Sequence, residues 1–173
     1  MKIIGLILLV YLAFSYPVNA APRIAVLNFE LVDDTLLPNA PEELTRTASM
    51  KPLLEQAISK LGDYEIVQIS ANDQNAATAG VGYLLNFNDV AAKLGKQSGA
   101  DWVVVGQHSK HSFLYSYLMV HLVNVKTQKL AGDFPTELKG THQKVTQRGI
   151  NWLAKKLAAR IEQLSGSAFT TTP

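Results

Sequence analysis

Three of the four histidines in this 173-residue chain fall in one stretch, HSKHSFLYSYLMVH, as His108, His111 and His121. A His-x-x-His pair with a third imidazole ten residues on has the makings of a zinc site, whose ligands must all reach one point at ~2 Å. The stretch reads as strand, however, and strand side chains alternate between two faces. The odd separation of His108 and His111 sends them to opposite faces of a continuous strand. A hairpin turn over residues 110–113 sets His121 opposite about residue 103, roughly 15 Å from His108 along the strand at ~3.3 Å per residue. Convergence on one ion is geometrically poor, so the three are expected as surface or half-buried strand histidines. His142 opens a later helix, and no ligand spacing links it to the others.

A second candidate is oxygen-rich. Glu30, Asp33 and Asp34 follow the first predicted strand, and Asn72 and Asp73 follow the second. Ligands of open α/β sheets bind at that strand-end edge, and such a set could receive a cation or small ligand. Turn-forming aspartates on a solvated loop are the competing explanation, and no calcium-loop spacing is present. Other chemistry lacks a pattern. There is no Gly-x-Ser-x-Gly elbow and no Walker-type loop, and Gly80-Val81-Gly82 lacks a third glycine at phosphate-binding spacing. Tyr83, Phe87, Trp102, Tyr115 and Tyr117 have no interleaved basic series, so they are expected in the core and on strand faces rather than as a stacking platform. The reading therefore names no catalytic, cofactor-binding or metal residue, assigns no ligand-binding residue, and expects no enzyme.

Composition narrows the compartment. Lys2, an apolar run and Val18-Asn19-Ala20 make residues 1–20 a secretory signal peptide. A single α/β domain is expected over residues 21–165, with a flexible tail at 166–173. The chain has no cysteine, which excludes disulfides, thiolate chemistry and a lipid-anchoring cysteine. Loss of Lys2 lowers the formal charge from +2 to +1. A near-neutral total points away from nucleic acid as a partner, and no membrane anchor is expected after cleavage. A periplasmic location follows from the signal peptide.

The elements that must position these residues follow from periodicity. RIAVLNFEL reads as one strand over residues 23–31. Pro41 opens a helix whose apolar stripe is Leu44, Ala48, Leu54, Ala57, Ile58 and Leu61. Pro52 predicts a kink or two abutting helices. A strand over 64–70 precedes a long, mobile loop over 71–86, and a short helix capped by Asn88 or Asp89 follows. Strands beginning at residues 100 and 113 and one over 129–139 make a meander. The last helix, from Thr141, carries Val145, Ile150, Trp152, Leu153, Leu157 and Ile161 on one stripe, with Lys155, Lys156 and Arg160 off it. The order β-α-β-α-β-β-β-α implies a mixed sheet of about five strands, parallel in its first half and antiparallel in its second, with helices packed on it.

Two phrases carry a resemblance. RIAVLNFEL, and GADWVVVGQHSKHS with its Asn124-to-Lys129 turn NVKTQK, resemble the signatures of a group of exported bacterial α/β modules. The group includes the amino-terminal domain of the translocation protein TolB, the curli secretion lipoprotein CsgG, the lipoprotein LpoB, and small secreted proteins of undescribed function whose terminal helix carries a Trp, as Trp152 does here. The resemblance implies a periplasmic binding or assembly module without an active site. Its partner would be a protein or a second copy, met through a sheet edge and strand-end loops. The alternative is a small-ligand or cation-binding protein, and the resemblance, some of whose close members are encoded beside quinoprotein alcohol oxidation systems, implies an accessory role to such a system.

Overall fold

A computed structural model describes residues 20–139 and 142–167. Residues 1–19 of the expected signal peptide and 168–173 of the expected tail lie outside the described residues. The elements run β1 (Arg23–Val26), β2 (Glu30–Asp33), α1 (Pro41–Ser59), β3 (Glu65–Val67), α2 (Ala71–Ala77), α3 (Tyr83–Asn86), α4 (Asn88–Gln97), β4 (Trp102–Lys110), β5 (Tyr115–Asn124), β6 (Lys129–Asp133), β7 (Thr136–Lys139) and α5 (His142–Ser167). The sheet order is β3-β1-β4-β5-β6, with β2 also on β4 and β7 also on β5. β1 and β2 thus share one lane and β6 and β7 another, so seven strands fill the five positions expected. Pairing is parallel among β1, β2, β3 and β4, and antiparallel from β4 onward, as expected.

The centre of the sheet is β4, and its Val103-Val104-Val105 run is buried on both faces. Parity sorts its side chains. Trp102 and Val104 join Leu118, Val120 and Leu122 under α1 and α5, whereas Val103 and Val105 face α4 with Leu84, Ala91 and Leu94. The same even-numbered row continues through Gly106 to His108 and Lys110, beneath the start of α1.

Several local expectations are corrected. The strand over 23–31 is two strands. Register offsets of 78 and 77 residues on β4 show one extra residue between them, the signature of a bulge. Both backbone polar groups of Asn28 are taken by one side chain: Asn28 N–H donates to Gln74 Oε1 (2.8 Å), and Gln74 Nε2 donates to Asn28 O (2.9 Å). The region 71–86, expected as a mobile loop, instead holds α2 and α3. Ser70 caps α2 by accepting from Asp73 N–H at 3.1 Å, and that helix delivers Gln74 to the bulge. The strand over 129–139 is broken between β6 and β7 at Phe134-Pro135, where proline cannot donate to a ladder. Helix α1 is continuous through Pro52, and α4 begins after Phe87 with no side-chain cap from Asn88 or Asp89.

Gly106 explains how the bulge packs. A β-carbon there would overlap the ring of Phe29, which fills the space beside the break. Gly106→Ala is expected to cost about 1–3 kcal/mol by overpacking. Urea unfolding would measure it, and a loss below about 0.5 kcal/mol would show that Phe29 swings aside freely.

Candidate functional site

The buried stripe of α1 is Glu43, Thr47, Met50, Leu54 and Ile58. Leu44, Ala48 and Leu61, expected on that stripe, are exposed. The helix therefore turns a carboxylate and a hydroxyl, rather than two apolar groups, toward the end of β4. Glu43 has no solvent exposure. Its Oε1 lies 2.8 Å from Lys110 Nζ and its Oε2 3.4 Å from Arg46 Nη1, both cations being nearly buried as well. Arg46 Nε donates to Thr146 Oγ1 at 2.8 Å, so the pair also ties α1 to α5.

His108 completes the network and corrects the expectation of a surface or half-buried position, for it is fully buried. Its Nδ1 lies 2.8 Å from Thr47 Oγ1 and its Nε2 2.9 Å from Ser116 Oγ. Thr47 spends its single hydroxyl proton on Glu43 O, 2.8 Å away. The Nδ1–H of His108 must then donate to Thr47, leaving Nε2 to accept from Ser116, which is the neutral imidazole. Burial is the largest cause that pulls the His108 pKa down from 6.5 to about 4, and the Arg46 charge adds to it.

The other candidates are dispersed. His111 is exposed, with Nδ1 2.9 Å from Asp34 Oδ2 and Nε2 3.0 Å from Ser109 Oγ. His121 pairs with Val105, two residues from the expected position, and its Nδ1 donates to Leu85 O at 2.9 Å. The side chain of His142 lies outside the described residues. Glu30 accepts from Gly82 N–H at 2.6 Å. Asp33 accepts from Thr35 N–H, Thr35 Oγ1 and Asn39 N–H. Asp73 pairs with Ser70, and Asn72 is exposed. Asp33 and Asp73 serve their own turns, Glu30 and Asp34 hold distant segments, and no three His, Asp or Glu residues among the described residues stand close enough to hold a metal. Of the aromatic set, Trp102 is buried, Tyr83 and Tyr117 are half-buried, and Phe87 and Tyr115 are exposed.

What gathers at this end of the sheet is apolar and exposed. Leu36 (91%) and Leu37 (67%) stand on the loop after β2, and Phe113 (58%) and Leu114 (81%) on the β4–β5 turn. The loops are tied together by Asp34 N–H donating to Lys110 O at 2.9 Å and by the His111–Asp34 contact. Asp33 fixes the first loop from within, and Lys110 Nζ sits 5.6 Å from the Phe113 ring centroid. A small cleft behind the turn is lined by Arg46, Lys110, Ser112, Ser116 and Leu138. The arrangement presents large apolar side chains on braced loops above a buried ionic base.

The sheet edges offer less. β3 is three residues long, and the β6–β7 lane is interrupted. At the β5–β6 irregularity Arg160 Nε donates to Ala131 O at 2.7 Å, which occupies a backbone group there.

A family model described as "Protein of unknown function (DUF2380)" matches residues 22–157. No curated protein matches the sequence. Among solved structures, a PelC dodecamer from Paraburkholderia phytofirmans is similar at 11% identity and TM-score 0.53, over 82% of this chain and 90% of that one. TolB from Acinetobacter baumannii is similar at 17% identity and TM-score 0.50, over 82% of this chain and 28% of TolB, so the chain spans little more than a quarter of that protein. The LpoB C-terminal domain from Salmonella enterica is similar at 17% identity and TM-score 0.48, over 70% and 84%. The TolB match bears out, for the fold, the resemblance drawn from RIAVLNFEL and GADWVVVGQHSKHS.

Proposed function

Because this chain belongs to the DUF2380 family and shares the fold of PelC and TolB, we propose that it is a periplasmic, non-catalytic module that binds a protein partner through the strand-end loops around Leu36, Leu37, Phe113 and Leu114. The single observation that carries this reading is the exposure of those four side chains at one end of the sheet. Scattered apolar residues on a surface need no explanation, but four large ones on two loops that are tied to each other mark an interaction site. Bracing lowers the ordering cost of association. The interrupted β6–β7 lane makes the loops a better docking element than the sheet edge. The partner is another periplasmic protein or a second copy, and PelC is a dodecamer.

A photoreactive amino acid at position 37 or 114, expressed in the native periplasm, is expected to give one discrete cross-linked product. The same group at Lys126, in the turn at the opposite end of β5, is expected to give none. Serine at all four apolar positions should leave stability within about ±0.5 kcal/mol per site and abolish the product. A product of twice the chain mass would name a second copy as the partner. Equal labelling from Lys126, or none from either loop, would overturn the reading.

A further inference from the structure

The near-neutral total charge conceals a strongly segregated helix. α5 carries Lys144, Arg148, Lys155, Lys156 and Arg160 against a single acid, Glu162. Glu162 accepts a hydrogen bond from the Tyr64 hydroxyl, and Arg160 is engaged by Ala131 O and Gln163. The other four cations are exposed, and no Asp or Glu among the described residues comes within ion-pairing distance of them. At 100° per residue, Lys144, Arg148, Trp152, Lys155 and Lys156 fall within about 120° of the helix circumference. That arc lies opposite the stripe of Ile150, Leu153, Leu157 and Ile161 that packs on the sheet. Trp152, expected on the buried stripe, stands instead within the cationic arc at 41% exposure, with Lys156 Nζ 5.5 Å from its ring centroid.

We propose that this face of α5 docks the protein on an anionic phospholipid surface. Charge complementarity identifies the occupant as anionic, and the residue types select among anions. Three of the four cations are lysines, which the cores of protein interfaces disfavour. Single-stranded nucleic acid calls for several stacking aromatics along a basic groove, and this face has one. A lone amphipathic ring flanked by lysines suits the headgroup region, where tryptophan is favoured and each cation adds about fivefold to binding. No helix among the described residues is long and apolar enough to cross a membrane, so the contact is peripheral. The site is separate from the strand-end loops and does not depend on them.

The test uses residues 21–173, which contain all of the described fold but lack the apolar leader. Co-sedimentation is measured with vesicles of phosphatidylcholine alone and of phosphatidylcholine with one third phosphatidylglycerol. Binding to the anionic vesicles only is expected, weakening as salt rises, with a blue shift of emission from Trp152 that is absent in Trp152→Phe. Trp102 is buried and serves as the internal reference. The triple variant Lys144→Gln, Arg148→Gln, Lys155→Gln should bind on the order of a hundredfold more weakly, with an unchanged circular dichroism spectrum and melting temperature. Equal binding to neutral vesicles, or undiminished binding by the triple variant, would overturn the proposal. So would binding to polyglutamate or duplex DNA as tight as to anionic vesicles, because the face would then be a general polyanion site.

Discussion

Glu43→Ala is expected to lose about 3–5 kcal/mol of folding stability, the range seen when one partner of a buried ion pair is removed. The carboxylate is wholly buried, and it stands between two cations that are themselves nearly buried, Lys110 at 2.8 Å and Arg46 at 3.4 Å. Its removal leaves both charges facing a site that no longer compensates them. Glu43→Gln, which keeps the volume and removes the charge, should lose nearly as much. Leucine at 43 together with methionine at 110 should recover much of the loss, because well-packed apolar groups often replace a buried pair without penalty. Equilibrium urea unfolding of the three variants measures this. If Glu43→Gln loses less than about 1 kcal/mol, the pair behaves as an exposed one and the network is no structural base. A correct result also bears on the loops, because Lys110 O holds the chain at Asp34 beside Leu36 and Leu37.

The second large effect is on acid stability. The folded-state pKa of His108 is held at about 4, against 6.5 for the free side chain, first by burial and then by the neighbouring Arg46 charge. Between those two values the unfolded chain binds a proton that the folded chain does not, so stability falls as pH drops through this window. Above pH 6.5 both states are neutral and His108 contributes no slope. The shift corresponds to about 3 kcal/mol lost by pH 4. His108→Gln removes the titration at the expense of packing. It should start less stable at pH 7 and show a flatter decline toward pH 4. Stability from urea titrations at half-unit pH steps, wild type minus variant, isolates the effect from the carboxylates. Parallel curves for the two proteins would show that His108 does not titrate in this way.

Much of the frame is legible in the chain itself. Val103-Val104-Val105 announces a strand buried on both faces, and the alternation of Ser116, Leu118, Val120 and Leu122 announces one covered on a single face. These patterns repeat every two residues, so they survive without knowledge of partners. Parity alone separates His108 from His111 and argues against a shared metal. The errors have a common form. Local periodicity places Leu44 in the core and leaves Glu43 off the stripe, because it weighs polarity before partnership. The partner of Glu43, Lys110, lies 67 positions away. The local sequence around Gln74 predicts a mobile loop, because the Asn28 backbone groups that Gln74 satisfies are 46 residues distant. The stripe predicted for the last helix includes Trp152, whereas the phase of α5 against the sheet turns it outward.

The sequence by itself determined the order of the longer helices and of the five sheet positions, the mixed parallel and antiparallel sheet, and the absence of cysteine chemistry, because these depend on residue types and short-range spacing. The tertiary structure alone decided which polar groups are buried, which loops meet at the sheet end, and that the basic residues of α5 gather on one exposed face. Those are properties of pairs far apart in the chain, and the free energy of a charge or an apolar side chain is set by the neighbours that folding brings to it.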